Sequence, residues 1–287
     1  MSLRFSGHDT FHCKQQWLLK GIRLIEEEGN TAFNNTSEAI KILGVGKNMV
    51  SSVKYWLESF HITNNHKISE IGKFLLGQNG FDPYLEDEGT LWLLQFHLCH
   101  SQYASIFNLI FCKYFNDKVT HEFTEEKVIN FLTKHIEDNN LKTISSNTLS
   151  TDFKVFTRSY VSSIRESKTL EDDFNSPLLE LNLIEKSDNN PFKINKTNRN
   201  IPPYIFAYSV LLISESKNSR SLSFRLLQET IGNYFCLSND SLEEHIHKLN
   251  TISSLFVYNE DAGTANIQIK DYDENNKVNL LRRHYEN

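Results

Sequence analysis

The sequence predicts a mainly α-helical protein: a winged helix-turn-helix near the amino terminus, a central helical region, and a second winged-helix-like unit at the end. Apolar residues recur at three- and four-residue spacing through most of the 287 residues. Only 5 prolines interrupt them. Twice, a series of helices runs into a short turn-rich segment of strand-forming residues, which is the order of a helix-turn-helix followed by a wing.

The first helix spans Gln15 to Glu28, with Trp17, Leu18, Gly21, Ile22, Leu24 and Ile25 on one face and Gly29-Asn30 as its stop. Thr36-Ser37 offers an N-cap for a second helix of barely two turns, through Ala39, Ile40 and Leu43 to Gly44. The tight turn Gly44-Val45-Gly46 leads into a third helix, whose stripe of Met49, Val50, Val53, Trp56, Leu57 and Phe60 must face a core. His61 to Lys67 is polar and hairpin-sized, Ile68 to Leu76 passes from a short strand or turn into a helix, and Gly77 to Gly80 closes a domain over 1–80.

From Phe81 the chain turns acidic and turn-rich (FDPYLEDEGT), then apolar in helices from Leu91 to Cys99 and from Ser105 to Phe115. Helical pattern resumes at Glu125 to Ile136, and the Asn-, Ser- and Thr-rich run Asp138 to Thr151 reads as an exposed loop. Asp152 to Arg165 and Ser176 to Ile184 read as amphipathic helices, the second with Pro177 at its first helical position. The polar segment Lys186 to Pro203 marks a boundary, which sets a central domain at 81–200 and a last one at 201–287. In the last domain, helices at Tyr204 to Ile213, Phe224 to Thr230 and Asp240 to Leu249 precede a hairpin: Leu255 to Tyr258, the turn Asp261-Ala262-Gly263, and Ile267 to Ile269.

Thirty basic against 36 acidic side chains give a net charge of −6, so any contact with nucleic acid must come from a local patch. Cys13, Cys99, Cys112 and Cys236 are too scattered for a zinc ribbon or a disulfide framework, and free thiols in a reducing cytoplasm are expected. No export signal or membrane span is visible. Leu43-Gly44-Val45-Gly46-Lys47-Asn48 has a Gly-Lys pair but not the spacing of a phosphate-cradling loop.

The third helix is the strongest nucleic-acid candidate. At 100° per residue its apolar stripe leaves Lys47, Asn48, Ser51, Ser52, Lys54 and Tyr55 on the other side. Lysine neutralises phosphate, asparagine pairs with an adenine edge, and small serines allow close approach to the groove floor. Between Thr31 and Leu76, five lysines stand against three glutamates, a local charge of +2. The helix from Asp240 differs, because Asp240, Glu243 and Glu244 would repel phosphate.

Other constellations read as structure. His8-Asp9-Thr10-Phe11-His12 has the outline of a zinc-protease motif, but its acid is aspartate, Ser6-Gly7 precedes it directly, and no third ligand follows. His97, Cys99 and His100 sit among leucines and a phenylalanine and read as core. Asp82 is the first acid of a turn in which Glu86, Asp87 and Glu88 form the acidic start of a helix. No metal site is expected from these residues.

The strings FSGHDTF, WLLKG, LGVGKNMVSSVKYWL and FDPYLEDEGTLWLL resemble the bacterial SspB-like family found beside DNA phosphorothioation genes. TDFKVFTRSYV, DFNSPLLELNLI, IPPYIFAYSVLL and LSNDSLEEHI extend the resemblance over nearly the whole chain. It implies a component of a phage-defence system that replaces a non-bridging phosphate oxygen of DNA with sulfur. It implies as partners DNA, a cysteine desulfurase, an ATPase and a sulfurtransferase resembling PAPS reductase. For SspB-type members it implies DNA nicking, with Mg²⁺ or Mn²⁺ as the cofactor a nickase would use. His8 and Asp9, polar residues inside the amino-terminal string, are the catalytic candidates that follow from it; Asp9 stands where the family usually has glutamate. Two alternatives stay open: a non-enzymatic winged-helix transcription regulator, and an adaptor that recruits the sulfur-transfer enzymes.

Overall fold

Six of the apolar residues that the helical period marks in Gln15–Glu28 are buried in α1 (Gln15–Glu28), the first element of a computed structural model of the chain. The structure describes residues 3–115, 118, 120–162, 176–186, 191–261 and 264–286. It is mainly helical with small antiparallel sheets, and it divides into two compact units, Met1–Asn195 and Lys196–Asn287. Among the described residues no helix is long and apolar enough to cross a membrane.

In the first unit, α2 (Thr36–Leu43) starts one residue earlier than its expected cap, because the Asn35 side chain accepts the Glu38 N–H. It stops at Gly44, whose φ of +65° lies in the left-handed region that glycine enters without strain. α3 (Lys47–Ser59) follows, and the chain then turns through β1 (Thr63–Asn64) and β2 (Lys67–Ile68). Asn65 and His66 between them both have positive φ, as a two-residue hairpin turn requires. α4 (Glu70–Leu76) is capped by Ser69, and its Gly72 lies so close to the Ile62 carbonyl that a Cβ there would overlap it.

α5 (Glu88–Ser101) is buried from Gly89 to Cys99 and so has no polar face at all. α6 (Ser105–Asn108) continues into a π-helical segment, Leu109–Tyr114. After β3 (Glu122–Phe123) and α7 (Glu125–Asp138), the expected loop to Thr151 is cut short, since Ser145 caps α8 (Ser146–Tyr160) and the polar run is that helix's first turns. The helix expected to run to Arg165 ends at Tyr160, where Val161 turns extended, and residues 163–165 lie outside the described residues. Ser176 to Ile184 is no amphipathic helix but a short 3₁₀ turn, Pro177–Leu181, that leads into β4 (Ile184–Lys186). β5 (Phe192–Ile194) pairs with both β4 and β3, so the polar segment read as a boundary carries the middle strand of a sheet. An aromatic core holds α6, α8 and β3 together, with Phe107, Phe123, Phe153 and Phe156 all buried and Phe107 and Phe156 5.3 Å apart edge to face.

The second unit comprises α9 (Pro203–Lys217), β6 (Ser221–Ser223), α10 (Phe224–Leu227) with its π-helical extension Gln228–Gly232, and α11 (Asn239–Ile252). The expected hairpin is present as β7 (Phe256–Asp261) and β8 (Thr264–Ile269), with β8 paired to β6 on its other edge. Its turn residues Ala262 and Gly263 lie outside the described residues. A further helix, α12 (Glu274–Tyr285), starts at a capping box between Asp273 and Asn276 and anchors Lys277 on Glu215 at 2.8 Å.

Candidate nucleic-acid interface

α3 owes its position to close packing on α1. A Cβ on Gly21 would stand 2.6 Å from Leu57 Cδ1, so only glycine lets the two helices approach this far. Val50, Val53, Trp56 and Leu57 are buried as the stripe requires. On the opposite side Lys47, Asn48 and Ser51 are exposed and Lys54 is half-buried. Neither lysine makes an ion pair among the described residues. No side chain caps the helix at Gly46, and its positive end therefore lies beside Lys47.

Two of the six residues expected on that outer side turn inward. Ser52 is fully buried and donates to the His8 carbonyl at 2.6 Å, and Tyr55 is 3% exposed. The physical reason is a second covering of α3 that its own periodicity cannot reveal. The segment from Phe5 to Cys13 lies across it and is tied on by Ser52 and by Trp56, which donates through Nε1 to the Phe11 carbonyl at 3.1 Å.

That segment is tightly wound. Ser6, Gly7, Asp9 and Thr10 have φ of +68°, +99°, +44° and +71°. For the non-glycine residues such conformations cost about 1–3 kcal/mol each and persist only where surrounding contacts enforce them. Asp152 on α8 supplies the contacts: its Oδ1 accepts the Ser6 N–H at 2.9 Å and meets His8 Nε2 at 3.0 Å. The Thr10 N–H donates to His8 Nδ1 at 3.2 Å. Nδ1 is therefore the acceptor, and Nε2 carries the proton that it donates to Asp152. His8 is 2% exposed and Asp152 1%, whereas Asp9 points to solvent. The expected His8–Asp9 pair is thus split between the interior and the surface, and the partner of His8 is a residue that sequence reasoning missed. A signal existed: Asp152 is a lone acid on the stripe of Leu149, Phe153 and Phe156.

Two polar atoms of this cluster, Asp152 Oδ2 and the Tyr55 hydroxyl, are buried without a hydrogen-bond partner. Ser59 lies beside Tyr55 but gives its own proton to the Tyr55 carbonyl at 2.8 Å. Burial, and next the charge of Asp152, push the Tyr55 phenol well above its ordinary range, so it stays protonated.

Beside this cluster a cavity of about 470 Å³ opens between α3 and the amino-terminal segment. Arg4, Lys54, Ser51, Thr36, Phe33 and Tyr103 contribute to its wall. The Arg4 guanidinium lies 3.9 Å from the centre of the Tyr103 ring and 5.6 Å from that of Tyr55. His66, also at the wall, has its Nδ1 3.3 Å from the buried Glu58 carboxylate.

The remaining candidates are structural in their contacts. His97 is buried against His61 with ring centres 5.4 Å apart, and desolvation holds it well below its ordinary pKa; Cys99 is fully buried. Asp82 accepts the Glu86 and Asp87 N–H groups at 2.9 and 3.0 Å, and Asp87 caps α5. Among the described residues no group of three or more His, Cys, Asp or Glu side chains is placed to hold a metal. On α11, Asp240, Glu243 and Glu244 share an exposed acidic face with His247 and Lys248.

Residues 5–285 match the model of a family described as "Protein of unknown function (DUF4007)". Two solved structures, described as "SspB crystal structure" and "Magnesium ion-bound SspB crystal structure", are 22% and 23% identical to the chain. Each superposes with a TM-score of 0.85 over 99% of this chain and 88% of its own. The fold is therefore that of the SspB structures, as the resemblance of the sequence strings implied. No curated protein matches the chain.

Proposed function

The chain belongs to the DUF4007 family, and from that premise we propose that it is a DNA-binding component of a phosphorothioation-type DNA modification system used in defence. The observation that carries this function is the outer face of α3, where Lys47, Asn48 and Ser51 are exposed and Lys54 half-exposed, with no carboxylate between them along the helix. Lysines seven residues apart lie two turns apart on one side and can meet successive phosphates. Asn48 and Ser51 between them are short enough to reach base edges.

In this function 31–80 acts as a winged helix-turn-helix and 1–80 as the DNA-facing module. α2 and the Gly44–Gly46 turn support α3 in the groove, and the β1–β2 hairpin brings Lys67 toward the backbone as the wing. The second unit serves as a winged-helix-like module whose acidic α11 face suits a protein partner, such as one of the sulfur-transfer enzymes, rather than phosphate. The magnesium of the SspB structure belongs to that protein. His8 is 2% exposed, and in this function it positions the amino-terminal segment through Asp152.

The test is anisotropy of a labelled mixed-sequence duplex, run together with a supercoiled plasmid incubated with and without Mg²⁺ or Mn²⁺. Salt-dependent duplex binding is expected. Binding confined to one operator and never accompanied by nicking would favour a transcription regulator. Absence of DNA binding, with the cysteine desulfurase or its partners recovered in pull-downs, would favour the adaptor.

A further inference from the structure

The amino-terminal segment spends several strained residues on a task that the outer face of α3 does not explain. Its backbone is clamped at both ends of the strain. Arg4 N–H donates to Ser105 Oγ at 2.8 Å, the Arg4 carbonyl accepts the Ser105 N–H at 3.2 Å, and Ser6 and His8 are held by Asp152. Gly7, at φ +99°, passes so close to the Tyr55 ring that a Cβ would stand 2.8 Å from Cδ2. The result is that an exposed arginine is fixed in the wall of the 470 Å³ cavity, which Lys54 also lines.

The wall has a definite chemistry. It carries two cations and the hydroxyls of Thr36 and Ser51, and no carboxylate is part of it. Phe33, Tyr55 and Tyr103 add aromatic surface. The Arg4 guanidinium is preorganised by its stacking on Tyr103, and its planar fork matches a phosphate bidentately. A lone phosphate is far too small for this volume, whereas a phosphate with a sugar and a base falls within the usual range for small-ligand sites, roughly 300–1,000 Å³. The cavity also opens beside the very turn of α3 that presents Ser51 and Lys54, so a strand lying along that helix would run past it.

We propose that this cavity receives a single extrahelical nucleotide of a DNA strand, its phosphate between Arg4 and Lys54 and its base against the aromatic wall. The assignment rests on the DNA-binding function proposed above. Extruding a paired base costs a few kcal/mol, but a bulged nucleotide has already left the stack, so the pocket should reveal itself as a preference for the bulge.

The experiment uses the full chain and anisotropy with two duplexes of one sequence, one continuous and one with a single-nucleotide bulge, with dAMP as competitor. The bulged duplex is expected to bind roughly tenfold more tightly. Arg4→Gln should abolish that preference and leave the continuous duplex within about twofold, since only the side chain is lost and the backbone clamp to Ser105 stays. Thr36→Glu is the second variant: it puts a carboxylate into the wall at the first residue of α2, where the helix dipole favours an acid, and should have the same effect. Equal affinity for both duplexes overturns the pocket and leaves DNA binding standing. Failure to bind either duplex overturns both. Competition by dAMP that depends on Arg4, without any bulge preference, overturns the strand assignment in favour of a free nucleotide.

Discussion

Asp152 accepts two hydrogen bonds through one oxygen while the other is buried with none, and on this residue the amino-terminal segment depends. Replacing it with alanine leaves the Ser6 N–H and the His8 Nε2–H without an acceptor in the interior. Asp152→Ala should therefore cost about 2–4 kcal/mol in chemical denaturation. Asp9→Asn should change stability by less than about 0.5 kcal/mol and leave duplex affinity intact, because Asp9 is exposed and asparagine tolerates its positive φ. Loss of binding or of nicking in Asp9→Asn would instead give that carboxylate a functional role. A pH effect follows from His12, whose pKa falls from 6.5 to about 4 through burial first and then Lys14 and Arg158. Above pH 6.5 the folded and unfolded chains are both neutral at this site; between 6.5 and about 4 only the unfolded chain takes the proton. His12 should thus lower stability by at most about 1.4 kcal/mol per pH unit as pH falls through that window. Buried His97 acts in the same direction, and His12→Gln should flatten the slope measured by urea denaturation at pH 7 and pH 5. The helical period was enough to find the outward Lys47, Asn48, Ser51 and Lys54. It could not find the burial of Ser52 or the His8–Asp152 pair, because the partners lie 44 and 144 residues away in sequence.

Elements were legible in proportion to the length of their pattern. α1, α3 and α7 repeat an apolar stripe over 13 or 14 residues, and the sequence marks each of them. β3, β4 and β5 are two or three residues long, too short for alternation to register, and they exist because they pair with one another. The polar first turns of α8 hide a helix whose only early signal is the Ser145 cap. α12 was missed because Lys277 takes an apolar position on its buried face, made tolerable by Glu215 and Glu274 at 2.8 and 2.7 Å. The β1–β2 hairpin is fixed to α3 by Glu58, which accepts from Thr63 Oγ1 at 3.0 Å and from the His66 N–H at 2.7 Å. It is fixed to α4 by the close approach at Gly72, so Gly72→Ala should destabilise the first unit by about 1–3 kcal/mol through overpacking against backbone. Gly46→Ser offers the contrast: a Cβ there meets nothing within 4 Å and the backbone is already extended, so a serine can cap α3. A gain of a few tenths of a kcal/mol in thermal or chemical denaturation is expected.

At the scale of the whole chain, a net charge of −6 means that the molecule as a whole repels DNA, and binding must be won by a few fixed cations. Under the proposed function those cations are Lys47 and Lys54 on α3, helped by its uncapped amino end. In that function such a small set makes affinity depend on each member with a shallow salt slope of about two, and the acidic α11 of the second unit would contribute nothing to phosphate contact. The direct measurement is duplex affinity of the full chain at two or more salt concentrations, wild type against the double variant Lys47→Glu, Lys54→Glu. The double variant should bind at least about tenfold more weakly at low salt, and the slope of log affinity against log salt should shrink by about two. Unchanged affinity at both salt concentrations would contradict a DNA-docking role for α3.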